Sequence, residues 1–127
     1  MNKKSVLSVN NLNKVYFSKN SKKINALNNL NLEVNEGEIF GLLGPNGAGK
    51  TTFINILGGT VTKSSGKVNV WGFDLDVNPR QVRASIGIVP QEVNLDPFFS
   101  PKNLLELHAG LYGIKKKDRI TDSILKL

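Results

Sequence analysis

A chain of 127 residues with 17 Lys and Arg against 10 Asp and Glu carries a formal charge of +7. That length supports one domain core, and the absence of cysteine excludes disulfides and thiol metal sites. No apolar stretch is long enough to span a bilayer, and no secretory hydrophobic segment follows the polar residues Met1 to Ser5. The chain is therefore expected in the cytoplasm. The positive balance suits an anionic partner such as a nucleotide, a nucleic acid or an acidic membrane surface. Aromatic residues do not interleave with the basic clusters (Lys19, Lys22, Lys23 and Lys115, Lys116, Lys117), so nucleic acid is not the expected partner.

Val6 to Asn10 alternates apolar and polar residues and predicts a strand, with Lys14 to Phe17 a second candidate. Ser18 to Lys23 is a polar turn. Leu30, Leu32 and Val34 put one apolar face on a further strand, which Asn35-Glu36-Gly37 ends. Ile39, Phe40, Leu42 and Leu43 form an apolar run that predicts a buried strand over 39–43. A helix is expected to begin near Lys50 and to stop at Gly58-Gly59. Ser64-Ser65-Gly66 turns the chain into a strand over Lys67 to Trp71. Pro79 to Ser85 suits a short helix with proline in its first turn, and Ile86 to Val89 an apolar strand ended by Pro90. Helical spacing recurs in Leu104, Leu107 or His108, and Leu111, predicting a helix over Pro101 to Tyr112. Ile120, Ile124 and Leu127 predict another over Asp118 to Leu127. This order implies an α/β core with an antiparallel β portion in front and helices behind.

The richest chemistry lies at Gly44-Pro45-Asn46-Gly47-Ala48-Gly49-Lys50-Thr51-Thr52, which has the form G-x-x-x-x-G-K-[ST]. A triphosphate crowds several negative charges together, and side chains alone would crowd the site that binds it. Successive backbone N–H groups of a glycine-rich turn form an anion nest instead. Gly44, Gly47 and Gly49 permit the backbone such a turn needs. The first turn of the following helix adds unpaired N–H groups and the positive end of its dipole. Lys50 brings a full charge to the β- and γ-phosphates. The Thr51 hydroxyl can ligate Mg²⁺, and Thr52 can donate to the α-phosphate region. The expected ligands are a nucleotide triphosphate and Mg²⁺; the family resemblance described next makes the nucleotide ATP.

Gly37 to Thr52 resembles the Walker A region, with its preceding strand, of the nucleotide-binding domain of ATP-binding cassette (ABC) transporters. Ile-Gly-Ile-Val-Pro-Gln over 86–91 is similar to the strand that ends in that family's Q-loop glutamine, and the Trp71-Gly72 turn resembles it too. Leu95 to Leu105 resembles a subgroup of prokaryotic exporters whose ATPase pairs with a separate permease. The resemblance implies a P-loop NTPase core with an N-terminal antiparallel β subdomain and the start of a helical subdomain. The corresponding divisions are about 1–37 for the β portion, 38–90 for the P-loop core, and 91–127 for the Q-loop and first helices.

Carried onto this sequence, the resemblance gives the cradle to Gly44, Asn46, Gly47, Ala48, Gly49, Lys50, Thr51 and Thr52. It places Tyr16 as the aromatic that stacks on adenine, with Phe17 the runner-up. It gives Gln91 a place at Mg²⁺ or at the attacking water, so that Lys50 and Gln91 serve catalysis and Thr51 and Gln91 the metal. His108 matches no family position. The partners implied are permease subunits at the inner face of the cell membrane and a second ATPase subunit.

The 127 residues hold no Leu-Ser-Gly-Gly-Gln signature, no apolar strand ending in Asp-Glu, and no switch histidine. The expectation is a domain incomplete as given, which binds ATP weakly by itself and does not turn it over. The strand over 39–43 pairs, in the resembling fold, with strands outside these residues, so on its own it leaves an apolar edge open to aggregation. Two alternatives stand beside the exporter ATPase. One is a non-transport ABC protein acting on nucleic acid or the ribosome, and the other a truncated, non-catalytic nucleotide-binding fragment.

Overall fold

Residues 5–17 and 23–35 pair into a long antiparallel hairpin, strands β1 (Ser5–Phe17) and β2 (Lys23–Asn35). The computed structural model describes residues 4–18, 20, 22–89 and 97–127. The chain forms two compact units, Met1–Ile88 and Val89–Leu127. In the first, β1 and β2 are followed by helix α1 (Lys50–Leu57), strands β3 (Ser65–Val70) and β4 (Phe73–Asp74), and helix α2 (Pro79–Ala84). The sheet order is β2-β1-β3-β4, and every pairing is antiparallel.

The two short strands expected at Val6–Asn10 and Lys14–Phe17 are one strand of 13 residues that runs through bulges. Asn11 and Asn29 both take positive φ, 48° each, a conformation asparagine tolerates better than most side chains. Their amides leave the ladder and find reciprocal partners. Asn11 N–H donates to Asn31 Oδ1 at 2.8 Å, and Asn29 N–H donates to Asn13 Oδ1 at 2.9 Å. Each acceptor stands two residues beyond the opposite bulge. Asn13 Nδ2 also donates to Asn29 Oδ1 at 3.2 Å. The asparagines therefore fix the register of a strand pair whose outer face is mostly polar.

The core of this unit is Val9, Leu12, Leu27, Phe53, Ile56, Val68, Val70 and Val82. The inner face of the sheet, two positions of α1 and one of α2 meet there. The loop after α1 is fastened to β1. Ser64 N–H donates to the Asn13 carbonyl at 2.9 Å, and Val15 N–H to Ser64 Oγ at 3.0 Å. Both contacts hold α1 at a fixed height over the sheet.

The two strands expected at 39–43 and 86–89 are absent. An apolar run becomes a strand only where another strand supplies hydrogen-bond partners, and none of the four strands pairs with either segment. Ile39 is 104% and Leu43 93% exposed, so the first run lies on the surface instead of in a core. Leu42 alone packs against the core cluster.

In the second unit, helix α3 (Pro101–Leu111) starts where Ser100 caps it, accepting from Asn103 N–H at 3.3 Å. The single helix expected over 118–127 is instead a 3₁₀ turn, Lys116–Asp118, and a short helix α4, Thr121–Ile124. Arg119 between them is extended, at φ −81° and ψ 136°. The break serves a polar cluster. Glu106 of α3 accepts from Arg119 Nη1 and from the Thr121 hydroxyl, and Arg119 Nε donates to the Ile114 carbonyl at 3.0 Å. Thr121 is buried, at 5% exposure.

The Thr121 hydroxyl and the Arg119 guanidinium hold the Glu106 carboxyl below its ordinary value of 4.5. A carboxylate with a depressed folded pKa stabilises the fold above its unfolded value, and that contribution is lost as pH falls through the folded one. Lys102, beside Asp122 at 2.8 Å, is raised above 10.5 by that carboxylate, a contribution present at neutrality and lost as the pH rises past that value. The α3–α4 pairing is thus expected to loosen as the pH falls below 4.5 and not at neutrality. Amide exchange of α3 followed against pH checks this. Glu106→Gln should flatten the acid-side change, and an unaltered profile would show that another group controls it.

Candidate functional site

Residues 44–49 turn the chain from the exposed run at 39–43 into α1. Gly47 and Gly49 sit at φ 85° and 89°, in the left-handed region. Gly49 is pressed against β2: a Cβ there would lie 2.2 Å from the Ala26 carbonyl oxygen and 2.8 Å from Leu27 Cδ2. Only a residue without a side chain lets the loop come this close to the sheet. Gly49 also sits just before α1 with its carbonyl accepting from Phe53 N–H at 2.9 Å, the first bond of the helix. Ala48 N–H turns back to the Pro45 carbonyl at 3.2 Å.

Helix α1 has no side-chain cap and no acidic residue in its first turn. Its first N–H groups have no carbonyl one turn earlier within the helix. No carboxylate competes there with an incoming anion. The Lys50 ammonium folds back over the loop, donating to the Gly44 carbonyl and to the Pro45 carbonyl at 2.8 Å. Thr51 is exposed in the first turn, and Thr52 is half-buried. Gly44, Asn46, Gly47, Ala48, Gly49, Lys50, Thr51 and Thr52 are thus brought together in one turn and one helix start. Behind them a pocket of about 150 Å³ is lined chiefly by Leu27, Leu30, Leu42, Leu43, Ala48 and Phe53.

Tyr16 lies on β1. The ladder pairs Lys14 with Leu27, the residue against which Gly49 packs, and Tyr16 with Ile24. Tyr16 is 37% exposed, and Phe17, the second candidate for stacking, is more exposed still. Lys14 Nζ lies over the Tyr16 ring, 4.7 Å from its centroid. The same ammonium donates to the Thr62 carbonyl at 2.7 Å. Sequence reasoning passed over Lys14, one of many basic residues, although a lysine two places before an exposed strand tyrosine shares its face of the sheet. It also missed Ala26 and Leu27 as the seat of the loop. Gln91 lies outside the described residues. His108 is exposed on α3. No three acidic or histidine side chains come together among the described residues to hold a metal. Among the described residues, a divalent cation here would have the exposed Thr51 hydroxyl and the oxygens of its own ligand. No helix among those residues is long and apolar enough to cross a membrane.

A sequence profile of the family described as ABC transporter matches residues 27–127. The Nod factor export ATP-binding protein I of Cupriavidus metallidurans is 42% identical over 101 residues, which are 80% of this chain and 33% of that protein. Among solved structures, the ATP-binding subunit of an ABC transporter matches with a TM-score of 0.75 and 28% identity, over 88% of this chain and 45% of its own. A dimeric ATP-binding cassette in a post-hydrolysis state, bound to ADP and Pi, matches with a TM-score of 0.72 and 30% identity. That match covers 87% of this chain and 48% of the cassette. The chain spans less than half the length of the curated relatives it matches.

Proposed function

This chain belongs to the ABC transporter family, and from that premise we propose that it is the ATP-binding part of an exporter subunit that holds ATP through residues 44–52. One observation carries the reading: Gly49 is seated on β2 directly before a helix start that carries no cap and no acid, with the Lys50 ammonium lying across it. That arrangement offers backbone donors and one mobile cation to a polyphosphate and little to an uncharged ligand.

In this reading Gly47, Ala48, Gly49 and Lys50 present their N–H groups to the β-phosphate region. Lys50 exchanges the loop carbonyls for phosphate oxygens, and Thr52 donates near the α-phosphate. The Thr51 hydroxyl and Gln91 would hold Mg²⁺, which would supply positive charge against the phosphates. Tyr16 stacks on adenine. The whole protein would hydrolyse ATP with a second copy of the subunit and transmit closure to a permease at the membrane. The dimeric cassette with ADP and Pi and the export function in a relative's name support that extension.

Ligand competition tests the core of the proposal. ATP with magnesium is expected to bind far more tightly than AMP, and inorganic tripolyphosphate to displace it. AMP binding as tightly as ATP would locate the nucleotide away from this loop.

A further inference from the structure

We propose that Lys14 is a positioning residue for the nucleotide base: it holds the Tyr16 ring in the orientation in which adenine stacks. The inference deepens the ATP reading and rests on the place that reading gives to Tyr16. Three observations converge on Lys14. Its ammonium lies over the Tyr16 ring, 4.7 Å from the centroid. The same ammonium is anchored at 2.7 Å to the carbonyl of Thr62, in the segment that follows α1. Its own backbone is paired with Leu27, against which the phosphate-loop glycine packs. Lys14 therefore ties the base-side aromatic to the two ends of the phosphate-side machinery, the start of α1 through β2 and its end through Thr62.

The physics favours a positioning role over simple attraction of charge. A tyrosine 37% exposed on a strand retains ring freedom that stacking would have to remove. A cation held over the ring restricts it before any ligand arrives. The cation also draws on the negative π-face, which reduces repulsion between the ring and the electron-rich faces of a purine. The Lys14 ammonium is engaged on one side by the Tyr16 ring and on another by the Thr62 carbonyl. The Thr62 segment does not depend on Lys14 alone, because Ser64 binds β1 through two bonds of its own.

The test compares ATP with inorganic tripolyphosphate, which has no base, by calorimetry on the full-length protein. Lys14→Met keeps the apolar stem and removes the cation. It should weaken ATP roughly two- to five-fold, the range of an exposed cation–π contact, and leave tripolyphosphate unchanged. Lys14→Arg should restore ATP affinity. In a Tyr16→Leu background Lys14→Met should cause no further loss. Equal weakening of ATP and tripolyphosphate would overturn the proposal, since Lys14 would then act on phosphate. Unchanged ATP binding in Lys14→Met, with Tyr16→Leu still harmful, would overturn it while leaving the base site standing. Unchanged ATP binding in Tyr16→Leu would remove the base site itself. Thermal melts of the same variants guard against misfolding, and a Lys14→Met protein that melts like the parent yet loses ATP affinity supports the assignment.

Discussion

Gly49→Ala is expected to destabilise the first unit by about 2–5 kcal/mol, whereas Gly47→Ala should cost only about 1–2 kcal/mol. The two glycines make a controlled pair, because their φ angles are nearly equal, 85° and 89°. Both substitutions therefore incur the same penalty of placing a Cβ in the left-handed region. They differ in surroundings. A Cβ at Gly47 meets nothing within 4 Å, while one at Gly49 lies 2.2 Å from a carbonyl oxygen of β2. That oxygen cannot easily retreat, since Leu27 next to it is buried and its strand is bonded to β1. Either the loop lifts from the sheet or β2 shifts against its partner. Urea denaturation of both variants reads the difference. Equal costs would mean that the loop does not rest on β2 as described. Lifting the loop also moves the start of α1, so Gly49→Ala should lose ATP binding even where it remains folded.

Lys50→Ala separates affinity from stability. Removing a charge-assisted contact to a phosphate costs about 1.5–3 kcal/mol, or about one to two orders of magnitude in affinity for ATP with magnesium. The bonds lost within the protein are exposed ones, to the Gly44 and Pro45 carbonyls, which water can replace. Alanine also suits a helix start at least as well as lysine. The melting behaviour should therefore stay within about 0.5 kcal/mol of the parent. An affinity left intact by this change would mean that the nucleotide is held by other groups.

How much could be read from residues alone follows from how local each feature is. The glycine loop, the start of α1 at Lys50 and its end at Gly58-Gly59 depend on neighbours in sequence, and all stand where expected. The helices at Pro79 and Pro101 were legible for the same reason. Strands are not local. The run at 39–43 has the composition of a buried strand, but no strand among the described residues pairs with it, and periodicity carries no information about partners. The first half of β2 was missed in the opposite way. Asn25, Asn28 and Asn29 break its apolar alternation, and only the pairing with β1 makes it a strand. The last helix was misread because the spacing of Ile120 and Ile124 is helical, while the extended break at Arg119 answers to Glu106 on another element. At the site, the glycine-rich turn was legible and its seat was not, since Ala26 and Leu27 show no sign of their contact with Gly49 until the sheet is formed.

The reciprocal asparagine bulges bear on how the chain is made. Every group in that lock lies between Asn11 and Asn31. All of these groups precede the glycine loop in the chain, so during synthesis the residues that set the register of the hairpin emerge before the loop does. Slippage by one residue would strand both bulge amides without acceptors. The glycine loop therefore follows, in the order of synthesis, the groups that align the platform it rests on.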